Sequence, residues 1–142
     1  VKSNIKLLHY IHQNAQMGLI AIEQLFGIVE EDHLKKVLQS QNEEYKKIYD
    51  ECEKRLGEKG KEAKETSPFT KIFSYITINI NTLTDKSPSR ISELMIRGST
   101  MGVIDITKKI KEYNGADKEI LNLADQLLKA EQSNIDELKN FL

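Results

Sequence analysis

Two polar residues, Gln41 and Glu131, fall on otherwise apolar helical stripes. A carboxyl group in such a place is costly to keep charged and tends to take up a proton. Two chemistries fit the pattern. Glu131 with Gln41, Glu44 and Asn134 could be the remnant of a metal or ligand site. Alternatively, Gln41 bonds a protonated or paired Glu131 at the same height and fixes helix register. The cost of an unpaired buried charge favours the polar layer.

His9 and His12 stand three residues apart, a spacing that lets two imidazoles reach one metal ion. Gln16 follows, but no Asp, Glu or Cys completes a local ligand set, so structural histidines are the simpler reading. The single cysteine, Cys52, lies on an apolar stripe and reads as a small packing group. Ser99 and Thr100 lack the glycine context of a nucleophile elbow. Lys59, Lys61 and Lys64, and Lys108, Lys109 and Lys111, are interspersed with glutamates and lack interleaved aromatics. This argues for a solvated mixed-charge surface and against nucleic acid.

The elements that must position these residues are helices. The chain has 142 residues, 39% hydrophobic and 30% charged, with a net charge of −1, which suits one soluble domain without a general pull toward polyanions. No apolar run reaches the ~20 residues of a membrane span. One cysteine excludes an intramolecular disulfide and fits a cytoplasmic protein. Only two prolines interrupt the sequence. Apolar periodicity places helices at about 3–27, 33–56, 68–81, 88–114 and 117–142, within one domain over 1–142. Ser67-Pro68 and Ser87-Pro88 are start signals, and Asp32 and Asp117 are expected N-caps. Gly27 and Asn114-Gly115 are expected stops, Gly27 through the left-handed conformation. Residues 75–80 alternate like a strand, but a lone strand has nothing to pair with, so helix is expected.

Met17-Gly18-Leu19-Ile20-Ala21-Ile22 returns as Met101-Gly102-Val103-Ile104-Asp105-Ile106, an offset of 84 (101 − 17). The glycines suit a close helix crossing. The second and last helices align at an offset of 90 (131 − 41), which pairs Gln41 with Glu131. The chain thus reads as two related helical hairpins. The connection over 58–86 is longer than the ~2–8 residues of a bundle turn, and long enough to cross the bundle with its own short helix.

This order resembles the ferritin-like superfamily, an all-α four-helix bundle of two hairpins joined by a long crossover. The resemblance covers nearly the whole chain and rests on architecture and the internal repeat. It implies Glu-x-x-His on two helices and a Glu on each of the others. Here those tetrads read Gln41-Asn42-Glu43-Glu44 and Glu131-Gln132-Ser133-Asn134, without His. The central stripe positions of the other two helices are Ala15, Leu19, Ser99 and Val103. Glu23 and Glu93 do not occupy equivalent places in the repeats. Only Glu131 keeps a matching ligand, so the resemblance implies a degenerate di-iron site and no cofactor.

The expected function is a non-catalytic bundle for protein interaction or structure, as a homodimer or with a protein partner. Tyr75, Ile76, Ile78 and Ile80 supply apolar surface for closing the bundle or meeting that partner. The alternative is a metal-binding oxidoreductase or metal-storage bundle that recruits Glu131, Gln41, Glu44, Asn134, His12, Glu23 and Glu93. A third reading is a small-molecule sensor with a cavity among Ala15, Gly18, Ser99 and Gly102.

Overall fold

The computed structural model describes residues 2–61 and 70–142, without the side chains of 70–73. Five α-helices follow in order: α1 (Lys2–Phe26), α2 (Asp32–Glu58), α3 (Thr70–Asn81), α4 (Pro88–Glu112) and α5 (Lys118–Leu138). A 3₁₀ turn over Lys139–Phe141 ends the chain against α4 and α5. No strand occurs among the described residues, and the alternating stretch 75–80 is helical. Ser67-Pro68 lies outside the described residues.

The helix ends follow local chemistry. Ser87 Oγ accepts from Arg90 N at 3.2 Å, with Pro88 at the first helical position. At α2 the N-cap is Glu31 rather than Asp32: its carboxylate accepts from Leu34 N at 2.6 Å. The longer Glu side chain reaches back over the first turn, which leaves Asp32 inside the helix. Asp117 caps α5 by backbone position, without a side-chain bond. Its N–H donates instead to Asn4 Oδ1 at 2.7 Å, tying the start of α5 to the start of α1.

Gly27 ends α1 without entering the left-handed region, as the Leu25 carbonyl accepts from both Ile28 N and Val29 N. Gly60 takes that role instead, with φ +69°. Lys61 N bonds Leu56 O and Gly60 N bonds Gly57 O, so α2 runs through Gly57 and closes in a Schellman motif.

α1 packs most extensively on α2, and α4 on α5; α1 also meets α4 and α5, while α2 meets α5. Their common core includes Leu8, Ile11, Ile22, Leu34, Ile48, Leu94, Ile106 and Leu127. α3 lies on α4 and α1, where it buries Ile76 and Ile80 and leaves Ile78 60% exposed.

The helix repeat has a different register from the one the stripes suggest. Buried positions of α2 map onto buried positions of α5 at an offset of 86 (131 − 45). This pairs Leu34 with Ile120, Leu38 with Ala124, Gln41 with Leu127, Tyr45 with Glu131, Ile48 with Asn134 and Cys52 with Leu138. The offset of 90 fails, because Leu128 and Ile135 are only half-buried and Leu142 is 62% exposed. Adjacent apolar residues on α5, such as Leu127 and Leu128, make two stripes look alike in sequence.

Candidate functional site: a buried Tyr–Glu pair and the groove behind it

Glu131 is 3% exposed and Tyr45 2% exposed. The Tyr45 hydroxyl donates a hydrogen bond to Glu131 Oε1, joining α2 to α5 through the core. The expected bond from Gln41 does not form: α5 runs antiparallel to α2, with Arg55 bonded to Glu119 and Tyr45 to Glu131, so Gln41 stands one helical turn away, on the side of Asn134. Burial pushes the Glu131 carboxyl well above its ordinary value, so the neutral acid is the form that fits this site.

The repeated glycines make room for the pair. A Cβ at Gly18 would sit 2.6–2.8 Å from three ring atoms of Tyr45. A Cβ at Gly102 would run into Glu131 Oε2. Each glycine of the repeat therefore faces one member of the pair, Gly18 from α1 and Gly102 from α4. Asn14 Nδ2 donates to Gly102 O at 3.3 Å and binds α1 to α4 beside them. The space left among Gly18, Ser99, Gly102, Met95 and Ile76 is about 20 Å³, room for a water molecule rather than a metabolite. The expected sensor cavity is thus filled by the Tyr45 ring and the Glu131 carboxyl.

The other singled-out residues divide into two sets. Gln41, Glu44 and Asn134 come together along a groove of about 540 Å³ between α2 and α5. Both amide atoms of Gln41 and Nδ2 of Asn134 are buried there without a hydrogen-bond partner. Gln126 Nε2 donates a long 3.5 Å bond to Glu44 Oε1. His12, Glu23 and Glu93 are not part of this groove. His12 is 2% exposed, stacks on Tyr49 with centroids 4.2 Å apart and reaches Glu53 Oε1 at 3.3 Å. Burial lowers its basicity, and Glu53 pulls the other way. Glu93 pairs on the α4 surface with Arg97 at 2.9 Å and Arg90 at 3.4 Å, and Glu23 is exposed.

Among the described residues no three or more His, Cys, Asp or Glu side chains are grouped to hold a metal ion. Cys52 is fully buried and its thiol is pushed up to about 12 by burial, which leaves it inert as a nucleophile. Lys109 sits 4.3 Å over the Tyr10 ring and pairs with Glu112 at 3.1 Å. The basic cluster around it is therefore engaged locally at that residue. No helix among the described residues is long and apolar enough to cross a membrane.

Sequence reasoning missed Tyr45. The signal was present in the repeat itself: a glycine at position 18 and another at 102 implied a large or polar group opposite each, on α2 and α5.

Fold and core together define an all-helical bundle with a buried neutral polar pair. No protein-family model matches the chain, and no characterised protein matches it in sequence. In structure it is similar to a DUF305 fragment from Deinococcus radiodurans, with a TM-score of 0.79 at 12% identity over 99% of this chain and 95% of that one. At that identity the likeness shows the helical fold alone.

Proposed function

We propose that this chain is a non-catalytic bundle of the ferritin-like type, two related hairpins joined by a crossover that carries α3, with a role in interaction or structure. The observation that carries this reading is the use made of Glu131. In a di-metal bundle this carboxylate must be ionised and face a second carboxylate and an imidazole. Here its Oε1 accepts from Tyr45 and its Oε2 lies against Gly102. A neutral carboxyl held by a phenol contributes helix register, and offers a metal a poor ligand.

The test is metal content after anaerobic Fe(II) addition and desalting, read on the full chain and on Glu131→Gln. The expected result is no retained iron in either. Retention of about two metals per chain, lost in Glu131→Gln, would overturn the reading in favour of an oxidoreductase or storage bundle.

A further inference from the structure

Where α1 meets α4 around the Tyr45–Glu131 pair, the facing residues are small: Gly18 and Ala21 on α1, and Gly98, Ser99 and Gly102 on α4. Small residues bring two helices close but leave little side chain to close the seam between them. α3 closes it from outside. Ile76 seats in the notch at Gly98, with its Cδ1 3.0 Å from where a Cβ would stand. Behind Ile76 lies the cavity of about 20 Å³, walled by Met17 and Met95, and the Glu131 carboxyl is its inner end.

The four long helices are tied to one another by polar bonds: Tyr45 to Glu131, Asn14 to Gly102 O, the Asp117 N–H to Asn4, and Arg55 to Glu119. α3 is held differently. It rests on α4 and α1 through Ile76 and Ile80, with Tyr75 and Leu83 half-buried beside them. Asn79 bonds Tyr75 O and Thr82 bonds Ile78 O, so these side chains serve the helix and its end. At the rim Tyr75 stands near Arg97 of α4, which is itself paired with Glu93. α3 is therefore the element that comes away at least cost.

The neutral Glu131 carboxyl fits this dry site, and a carboxylate does not. A buried charge needs a countercharge, several donors or water. Among the described residues that line the cavity, Tyr45 from α2 is the other titratable group. α1 brings Asn14, α3 brings Ile76, and α4 brings Ser99 and Gly102, none of them charged. The space holds about one water molecule. Hydration of the carboxylate then comes through the seam that Ile76 closes.

We propose that α3 is a lid over the Tyr45–Glu131 pair, closed while Glu131 keeps its proton and released when the carboxyl ionises. Release uncovers Met17, Ala21 and Met95 on the bundle and Ile76 and Ile80 on α3, so apolar surface appears as pH rises. The lid goes beyond the scaffold role, and exchange in α3 that ignores Glu131 removes the lid and leaves the scaffold reading standing.

The experiment is amide hydrogen exchange on the full chain from about pH 5 to about pH 8, read as protection factors, from which the intrinsic rise of exchange with pH is removed. Protection over 76–81 should fall about tenfold per pH unit, since opening then releases one proton. α3 should be less protected than the centres of α1, α2, α4 and α5 throughout. In Glu131→Gln its protection should not change with pH. Ile80→Ala supplies a second arm, because Ile80 holds α3 without lining the cavity. It should lower α3 protection, and each tenfold loss should bring Glu131 ionisation down by about one pH unit, read from its carboxyl carbon resonance. Protection of α3 that is flat with pH, that falls equally in Glu131→Gln, or that matches the rest of the bundle overturns the proposal. So does an Ile80→Ala variant that leaves either α3 protection or Glu131 ionisation unmoved.

Discussion

Replacing Glu131 with Gln makes the protein increasingly more stable than its parent as pH rises above about 4.5, the ordinary value of a Glu carboxyl. The folded state raises the Glu131 pKa, so between the unfolded and folded values the unfolded chain holds fewer protons than the native one. Stability that is full below the unfolded value is then lost as pH rises toward the folded one. The loss is about 1.4 kcal/mol for each pH unit over that window. Glutamine keeps the acceptor for the Tyr45 hydroxyl and has no proton to lose. The two proteins should therefore unfold at similar urea concentrations at about pH 4, and diverge as pH rises from there until the folded carboxyl ionises. His12 contributes a slope of opposite sign, because burial lowers its folded pKa and stability falls as pH drops through its ordinary 6.5. That contribution is common to both proteins and cancels in the difference. Parallel pH profiles would contradict a buried, neutral Glu131.

Gly18→Ala should destabilise the fold by about 1–3 kcal/mol, against the usual sense of a glycine-to-alanine change inside a helix. The new methyl would meet the Tyr45 ring at 2.6–2.8 Å. The ring is 2% exposed and held by its hydroxyl, so it cannot yield without a cost. Either α1 moves off α2 or the ring tilts and lengthens its bond to Glu131. Overpacking of this kind costs about 1–3 kcal/mol and outweighs the ~1 kcal/mol of helix propensity gained. Gly102→Ala acts on the other member of the pair, through Glu131 Oε2. Gly57→Ala supplies the control: it lies in α2 with nothing within 4 Å of its Cβ position, and should stabilise by up to ~1 kcal/mol. Urea midpoints of the three variants check the set, and a stabilised Gly18→Ala would remove the claim of a close crossing.

What the sequence reveals of this molecule is mostly local. Ser87-Pro88 starts α4 because an N-cap and its proline need only their own neighbours. Glu30-Glu31-Asp32 is ambiguous for the same reason, as three adjacent acids can all cap, and the structure selects Glu31. The helices themselves follow from apolar spacing, and the glycine repeat correctly implies close approach. The partners across the core do not follow. Leu127 and Leu128 are both apolar, so stripes at offsets of 86 and 90 look alike until burial separates them. That ambiguity placed Gln41 opposite Glu131 and hid Tyr45. The groove was half legible: Gln41, Glu44 and Asn134 stand out in sequence, whereas their meeting along one groove depends on how α2 packs on α5.

Glu131 is the residue on which the account turns, and its protonation state can be observed directly. The measurement is the side-chain carboxyl carbon resonances of ¹³C-glutamate-labelled protein from about pH 4 to about pH 8, with Glu131→Gln for assignment. One resonance should stay at the protonated position after the ordinary range of a Glu carboxyl has been passed, and vanish in the variant. If every glutamate instead titrates within about one unit of its ordinary value, Glu131 is a carboxylate in the core and the neutral-pair account is wrong.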